Sequence, residues 1–403
     1  MLETVHLADL VMASTTTSPP RPPPPQRILI VGAGVFGLST ALALLARPAY
    51  ADSHISIVDS APQLPNPAGS SVDSSRIVRA DYASYPYAKL AARAQRLWRD
   101  TGPAGWGGGG RYHQNGLVLT AEEGREGPVW QSLRNVRRLA EGECMDAAEV
   151  EELPDHTSIA RAADWEGVSG HCGYVNWNAG WANAEKCIQY ALDRVASEGG
   201  GRVTIQPGRR VQRLLFSNPD TSPPQQQRCL GAQFDDDTTT IHADLTIVAC
   251  GAWTPALIPS LVHGHALATG QVLAYMAISE AEQRLLGQRP TFLDTERGMF
   301  LIPPRGGELK VARHGYGYRN LQPVVWHDET LSLQQQKRQP EMVQVSVPDT
   351  SSPIPAEGER ACREFLRAIL PSLADRPFSR TRLCWYCDTY VPSPPPIKVP
   401  PIF

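Results

Sequence analysis

Nowhere in this 403-residue chain does an apolar run approach the roughly 18 residues that a membrane span needs. Nor is there an excess of positive charge. Lys and Arg number 38 against 41 Asp and Glu, a net charge of −3, so no basic field draws nucleic acid or anionic membrane. The eight cysteines (Cys144, Cys172, Cys187, Cys229, Cys250, Cys362, Cys384 and Cys387) are too scattered for the disulfide framework of a small secreted protein. Cys384 and Cys387 have no second closely spaced Cys/His set to complete a zinc site, and no metal is expected. The amino end carries Glu3 and Asp9 where a secretory leader would be basic, and the carboxyl end, Pro400-Pro401-Ile402-Phe403, is no peroxisomal address. These absences set the expectation of an intracellular, cytoplasmic protein in a reducing compartment, with neither nucleic acid nor membrane as partner.

What is present is the balance of a soluble globular protein, with 42% hydrophobic and 20% charged residues. The length suits two or three domains. Residues 1–26 are Ser/Thr/Pro-rich and expected to be disordered, and 392–403 form a second Pro-rich stretch, expected to be a tail. Between them Ile28 to Val31 is a continuous apolar run, the pattern of a strand buried on both faces of a parallel sheet. A helix is expected over Val35 to Leu45, then a second buried strand ending at Asp59, which together make one βαβ unit.

The turn between the first strand and the helix reads Gly32-Ala33-Gly34-Val35-Phe36-Gly37, a G-x-G-x-x-G pattern. Alone it is weak. Here it follows a strand, opens a helix and is answered by Asp59 about 20 residues on, which is the context of a dinucleotide site. Gly32 permits the tight turn, Gly34 lets the backbone approach a pyrophosphate, and Gly37 lets helix and sheet pack closely. The helix start offers free N–H groups to the phosphates, and Asp59 can accept from ribose hydroxyls while repelling a 2′-phosphate. This pattern does not by itself separate FAD from NAD.

Further along, Pro86 opens a helix to about Trp98 with Leu90, Ala94 and Leu97 on one face. Another helix spans Ala182 to about Ala196, and a last one about 357–370. Strand patterns recur at 202–206, 210–216, 229–234 and 244–249, and the segments 271–278, 298–303 and 308–313 alternate like an antiparallel sheet.

Several segments carry a family resemblance. They are Ser74-Ser75-Arg76-Ile77-Val78-Arg79 followed by Tyr82; Ala249-Cys250-Gly251-Ala252-Trp253 closing an apolar strand; Ala268 to Val272; Leu309 to Gly315; and Cys384-Trp385-Tyr386-Cys387-Asp388-Thr389. In this order they resemble the monomeric sarcosine oxidase and fructosyl amino acid oxidase family, part of the D-amino-acid-oxidase-like flavoproteins. The wording around Gly173 to Trp181 and His314 to Tyr318 is most similar to fungal members, some of which act on saccharopine-like or fructosyl amino acids. The resemblance implies an α/β fold of α+β character: a Rossmann-like FAD-binding domain (27–98, 172–256 and 384–391) and a mainly antiparallel substrate domain (99–171 and 257–383).

It also implies site residues. FAD would be held by Gly32, Gly34, Val35, Phe36, Gly37, Asp59, Ser75, Arg76, Gly251 and Trp253, with Cys384 matching the cysteine that carries the flavin through a thioether. Lys310 matches the lysine that promotes reaction of reduced flavin with oxygen, since a positive charge there stabilises the negative charge that develops. His314, on the same strand face, would sit at the substrate. Arg79 would grip the substrate carboxylate with its planar fork. The residues leave alternatives open: a solvent-facing lysine, a satisfied structural histidine, solvated arginines, and for Cys384 an inert thiol or a redox pair with Cys387.

The implied reaction is oxidation of a secondary amine or N-substituted amino acid by a monomer. A hydride goes to the flavin, the imine hydrolyses, and O2 becomes H2O2. A flavin dehydrogenase using another acceptor is the rival enzyme class. The family continues past the cysteine motif with a lysine-bearing G-x-x-G-H-G-F-K loop that 390–403 do not match. A truncated end, with one flavin wall missing and FAD held less firmly or without turnover, is therefore a further expectation.

Overall fold

The computed structural model describes residues 23–141, 147–217, 228–236, 238–326, 341–390 and 398–399. Residues 1–22 of the stretch expected to be disordered, and most of the Pro-rich tail, lie outside them. The strand Arg27–Val31 is central in a four-stranded parallel sheet, between Leu245–Val248 and His54–Val58, with Val203–Gln206 at the edge. Ile28 and Ile30 pack under the helices Val35–Leu45 and Ala184–Gly199, through Leu38, Leu42, Ile188 and Val195. Leu29 and Val31 face Ala232 and Phe234 of a three-stranded antiparallel sheet. Both faces of the strand are covered, which is why the apolar run is unbroken.

The second large unit is a nine-stranded sheet, antiparallel except where Thr291–Asp294 runs parallel to Leu117–Ala121. At its heart Ala266–Ala277 lies between Glu308–Tyr318 and Arg380–Tyr390. Alternation sorts the side chains of these strands. Val272, Ala274, Leu309 and Val311 pack against Phe365, Leu366 and Ile369 of the helix Ala356–Ile369. The opposite face carries Leu273, Tyr275, Ala312, Cys384 and Tyr386.

The boundary placed at 383/384 falls inside the single strand Arg380–Tyr390, and Cys172–Asn176, assigned to the parallel-sheet part, pairs with Leu117–Ala121 in the nine-stranded sheet. Lys398–Val399, assigned to a tail, pairs with Thr389 and Tyr390 at the sheet edge, where a Pro-flanked strand is tolerated. The helix Tyr85–Arg99 buries Ala88, Ala92 and Gln95 while Leu90 and Leu97 stay 50% and 59% exposed. Alanines let Val136 and Leu139 of the helix Gly127–Glu141 come close, and Gln95 donates to the carbonyls of Val78 and Asn178. A short helix, His156–Ala163, is held by a capping box from Asp155 to Ser158.

Candidate active site

The glycine turn is built by close approach. Gly32 has φ +110°, and a Cβ there would stand 2.3 Å from the carbonyl oxygen of Ala249; at Gly37 it would stand 1.9 Å from that of Gly32. Only glycine fits either position. The amide of Val35 donates to Ser71 Oγ at 3.0 Å, and the first helical bond runs from Leu38 to Gly34. The amides of Phe36 and Gly37 precede that bond, at the positive end of the helix.

Asp59 closes the second strand and is buried. One carboxylate oxygen accepts from the Ala33 amide at 2.9 Å; the other accepts from the Ala61 amide at 2.9 Å and from Asn66 Nδ2 at 3.1 Å. Asp59 thus pins the glycine turn to the strand end as well as lining the cleft.

That cleft, about 790 Å³, runs from Gly32, Gly34, Val35 and Phe36 past Asp59 to Gly251 and Trp253, and on to Tyr386 and Cys387 of the large sheet. Gly251 has φ +52° and nothing within 4 Å of where a Cβ would be, so the backbone is bare toward the cleft. Open amides, bare glycines and an acid at the strand end suit the ADP half of a dinucleotide. Continuity to Tyr386 leaves room for a further ring system over the large sheet.

At the large-sheet end a charged cluster is buried. Lys310 is 2% exposed, and its Nζ donates to Asp73 Oδ2 at 2.6 Å and to the Ser75 carbonyl at 2.7 Å. Arg76 also donates to Asp73 Oδ2, binds the Ser70 carbonyl at 2.9 Å, and reaches Cys384 Sγ at 3.1 Å. The Tyr275 hydroxyl donates to Asp73 Oδ1 at 2.6 Å. Burial pushes the Lys310 ammonium down to about 8, with Asp73 opposing. Burial alone would raise Asp73, but Lys310, Arg76 and Arg382 hold it below the usual carboxylate range. The direction that stands for this pair is an ionised Asp73, because three cations surround it.

Ser75, Arg76, Lys310 and Cys384 therefore come together, as the glycines, Asp59, Gly251 and Trp253 do at the other end. His314 lies two strand positions beyond Ala312, its ring 5.2 Å from that of Tyr386. Arg79 stands apart from these contacts: it donates to the Asp81 carbonyl, and its guanidinium lies 4.4 Å from the Tyr82 ring centre. Cys384 and Cys387, an odd number of positions apart, project to opposite faces of their strand, opposite Gln271 and Ala268, which disfavours a redox pair. Burial pushes the Cys387 thiol up to about 11. Two cations lie near Cys384 Sγ, Arg382 at 4.0 Å and Arg76 at 3.1 Å.

Sequence reasoning missed Asp73, Ser71, Tyr275 and Tyr386. Asp73 had a signal, since it sits two residues before Ser75 in an otherwise small and neutral stretch. Among the described residues, no three His, Cys, Asp or Glu side chains gather as a metal site, and no helix is long and apolar enough to cross a membrane.

A parallel sheet with a glycine turn, joined through one cleft to a mainly antiparallel sheet, defines a dinucleotide-dependent oxidoreductase. Residues 27–400 match the FAD dependent oxidoreductase family, and the chain belongs to it. It is similar to the amino acid oxidase imqH of Aspergillus flavus, 29% identical over 90% of this chain and 84% of that protein. It is similar also to the L-saccharopine oxidase of Schizosaccharomyces pombe, 27% identical over 90% of this chain and 80% of the other. Among solved structures, fructosamine oxidase (Amadoriase II) of Aspergillus fumigatus superposes with a TM-score of 0.70 at 26% identity, covering 90% of this chain and 77% of that one. The cofactor is FAD.

Proposed function

We propose that this chain is an oxidase of a secondary amine or N-substituted amino acid, of sarcosine, fructosyl amino acid or saccharopine type, with O2 as acceptor and H2O2 as product. One observation carries the reading: a buried lysine, Lys310, lies beside Arg76 and Cys384 on the face of the large sheet that carries Tyr275 and Tyr386, and Tyr386 lines the cleft. The names of the relatives, oxidases of amino acids, saccharopine and fructosamines, support the substrate class. When bound, FAD supplies the capacity to take two electrons from a C–N bond and pass them to oxygen.

The chain's own groups do the rest. The Phe36 and Gly37 amides and the bare backbone at Gly251 receive the dinucleotide, and Asp59 keeps the turn in shape. Lys310 places positive charge where oxygen gains electrons. His314 and Tyr386 form a polar-tipped aromatic edge for the substrate. Arg79 takes the substrate carboxylate by exchanging its present bond to the Asp81 carbonyl for a bidentate, charge-assisted pair. Cys384 is the attachment point for the flavin, its sulfur fixed by the Arg76 guanidinium at 3.1 Å.

The test is direct. The purified 403-residue chain should be yellow, and one of the three substrate types should yield peroxide with oxygen consumption. A colourless protein would defeat FAD retention. Anaerobic bleaching by substrate and transfer to a dye, without peroxide in air, would make it a dehydrogenase. Acid precipitation should leave colour in the wild-type pellet, whereas Cys384→Ala should release all its flavin to the supernatant. Complete release from the wild type would reject the covalent link.

A further inference from the structure

Asp73 is 1% exposed at its side chain, yet it is an anion shared by several elements. Its Oδ2 receives Lys310 Nζ from the strand Glu308–Tyr318 and also Arg76; its Oδ1 receives the Tyr275 hydroxyl from the strand Ala266–Ala277 and the Ser74 amide at 2.7 Å. The geometry points to Asp73 as the positioning residue of this site: its carboxylate aims Lys310, keeps it charged, and holds Arg76 against Cys384. This rests on the reading of Lys310 as the group that promotes reaction with oxygen.

An ammonium buried this far sheds its proton unless an anion faces it. The charged and titratable groups around the pair are Arg76 beside Asp73, Tyr275 on the neighbouring strand, and Arg382, Cys384 and Tyr386 on the strand beyond. Burial and Arg76 both push Lys310 toward neutrality, and Asp73 pushes the other way. Without Asp73 the first two act with less opposition, so Lys310 loses its charge at a lower pH. Lys310 and Arg76 also lose the carboxylate that fixes where they point.

The test uses the full chain in two forms. With FAD bound and chemically reduced, reoxidation by O2 is followed across pH. The wild-type rate should fall as pH rises through about 8. Asp73→Asn should move that midpoint at least about one unit to the acid side. Without FAD, Asp73→Asn should lower Tm by on the order of 5 to 10 °C at neutral pH. Adding Lys310→Met, which removes the stranded ammonium, should recover part of that loss. An unchanged midpoint, or losses in the double variant equal to the sum of the two singles, overturns the proposal. Should Asp73→Asn not fold, the double variant decides: folded supports the coupling, unfolded overturns it. If Lys310→Met reoxidises like wild type, the reading of Lys310 fails instead, and the FAD-free Tm cycle still judges whether Asp73 acts through Lys310.

Discussion

Lys310→Met is expected to slow reoxidation of the reduced enzyme by about a hundred- to a thousandfold, while reduction by substrate changes only a few-fold. Methionine keeps the length and apolar stem of lysine, so the strand Glu308–Tyr318 should stay in register. What goes is one positive charge in a dry site, where charge acts far more strongly than in water. The charge is present only below the Lys310 titration near 8, so wild-type oxygen reactivity should decline above that pH and the variant should show no such decline. Rapid mixing of photoreduced enzyme with oxygenated buffer measures both. Equal reoxidation rates in the two proteins would remove Lys310 from the oxygen step.

Gly32→Ala should lose FAD. Its backbone sits at φ +110°, and the new methyl carbon would lie 2.3 Å from the carbonyl oxygen of Ala249, which directly follows the strand Leu245–Val248 and is tied to the sheet by its amide bond to the Val31 carbonyl. Such strain costs about 1–3 kcal/mol before any backbone shift, and displaced amides weaken phosphate contacts further, so affinity should fall about a hundredfold or more. Gly34→Ala is the informative contrast. Its φ is ordinary and its new neighbour is the Ser71 hydroxyl at 3.1 Å, so Tm of the FAD-free chain should barely move while FAD binding still weakens. Titration of FAD into apoprotein, with Tm beside it, separates lost fold from lost cofactor. Unchanged affinity in both variants would remove the turn from the cofactor site.

The parallel core was legible because a strand covered on both faces must be apolar at every position, as Ile28 to Val31 are. Lys310, Arg76 and Cys384 were reachable through motif resemblance. Asp73 carried only the weak signal of its place near Ser75, because an aspartate in a small, neutral stretch reads as a turn residue and its chief partner is 237 positions away in the chain. Which face of the helix Tyr85–Arg99 is buried was not legible, because leucine usually outranks alanine as a core residue. Here the neighbouring helix requires small side chains, and the leucines face out. Arg79 was picked out by its place in the motif, but its bond to the Asp81 carbonyl depends on a local bend that no periodicity encodes.

The order of strands in the parallel sheet bears on how the protein is made. Arg27–Val31 emerges early from the ribosome but pairs with Leu245–Val248, and the cleft it opens is closed by Tyr386 and Cys387. Such distant pairing is slow, and it leaves an apolar strand waiting for partners not yet synthesised. The cleft is thus completed late in synthesis. A growing chain arrested before about residue 250 would expose the central strand to aggregation, and one arrested before the last long strand would leave the cleft without Tyr386 and Cys387.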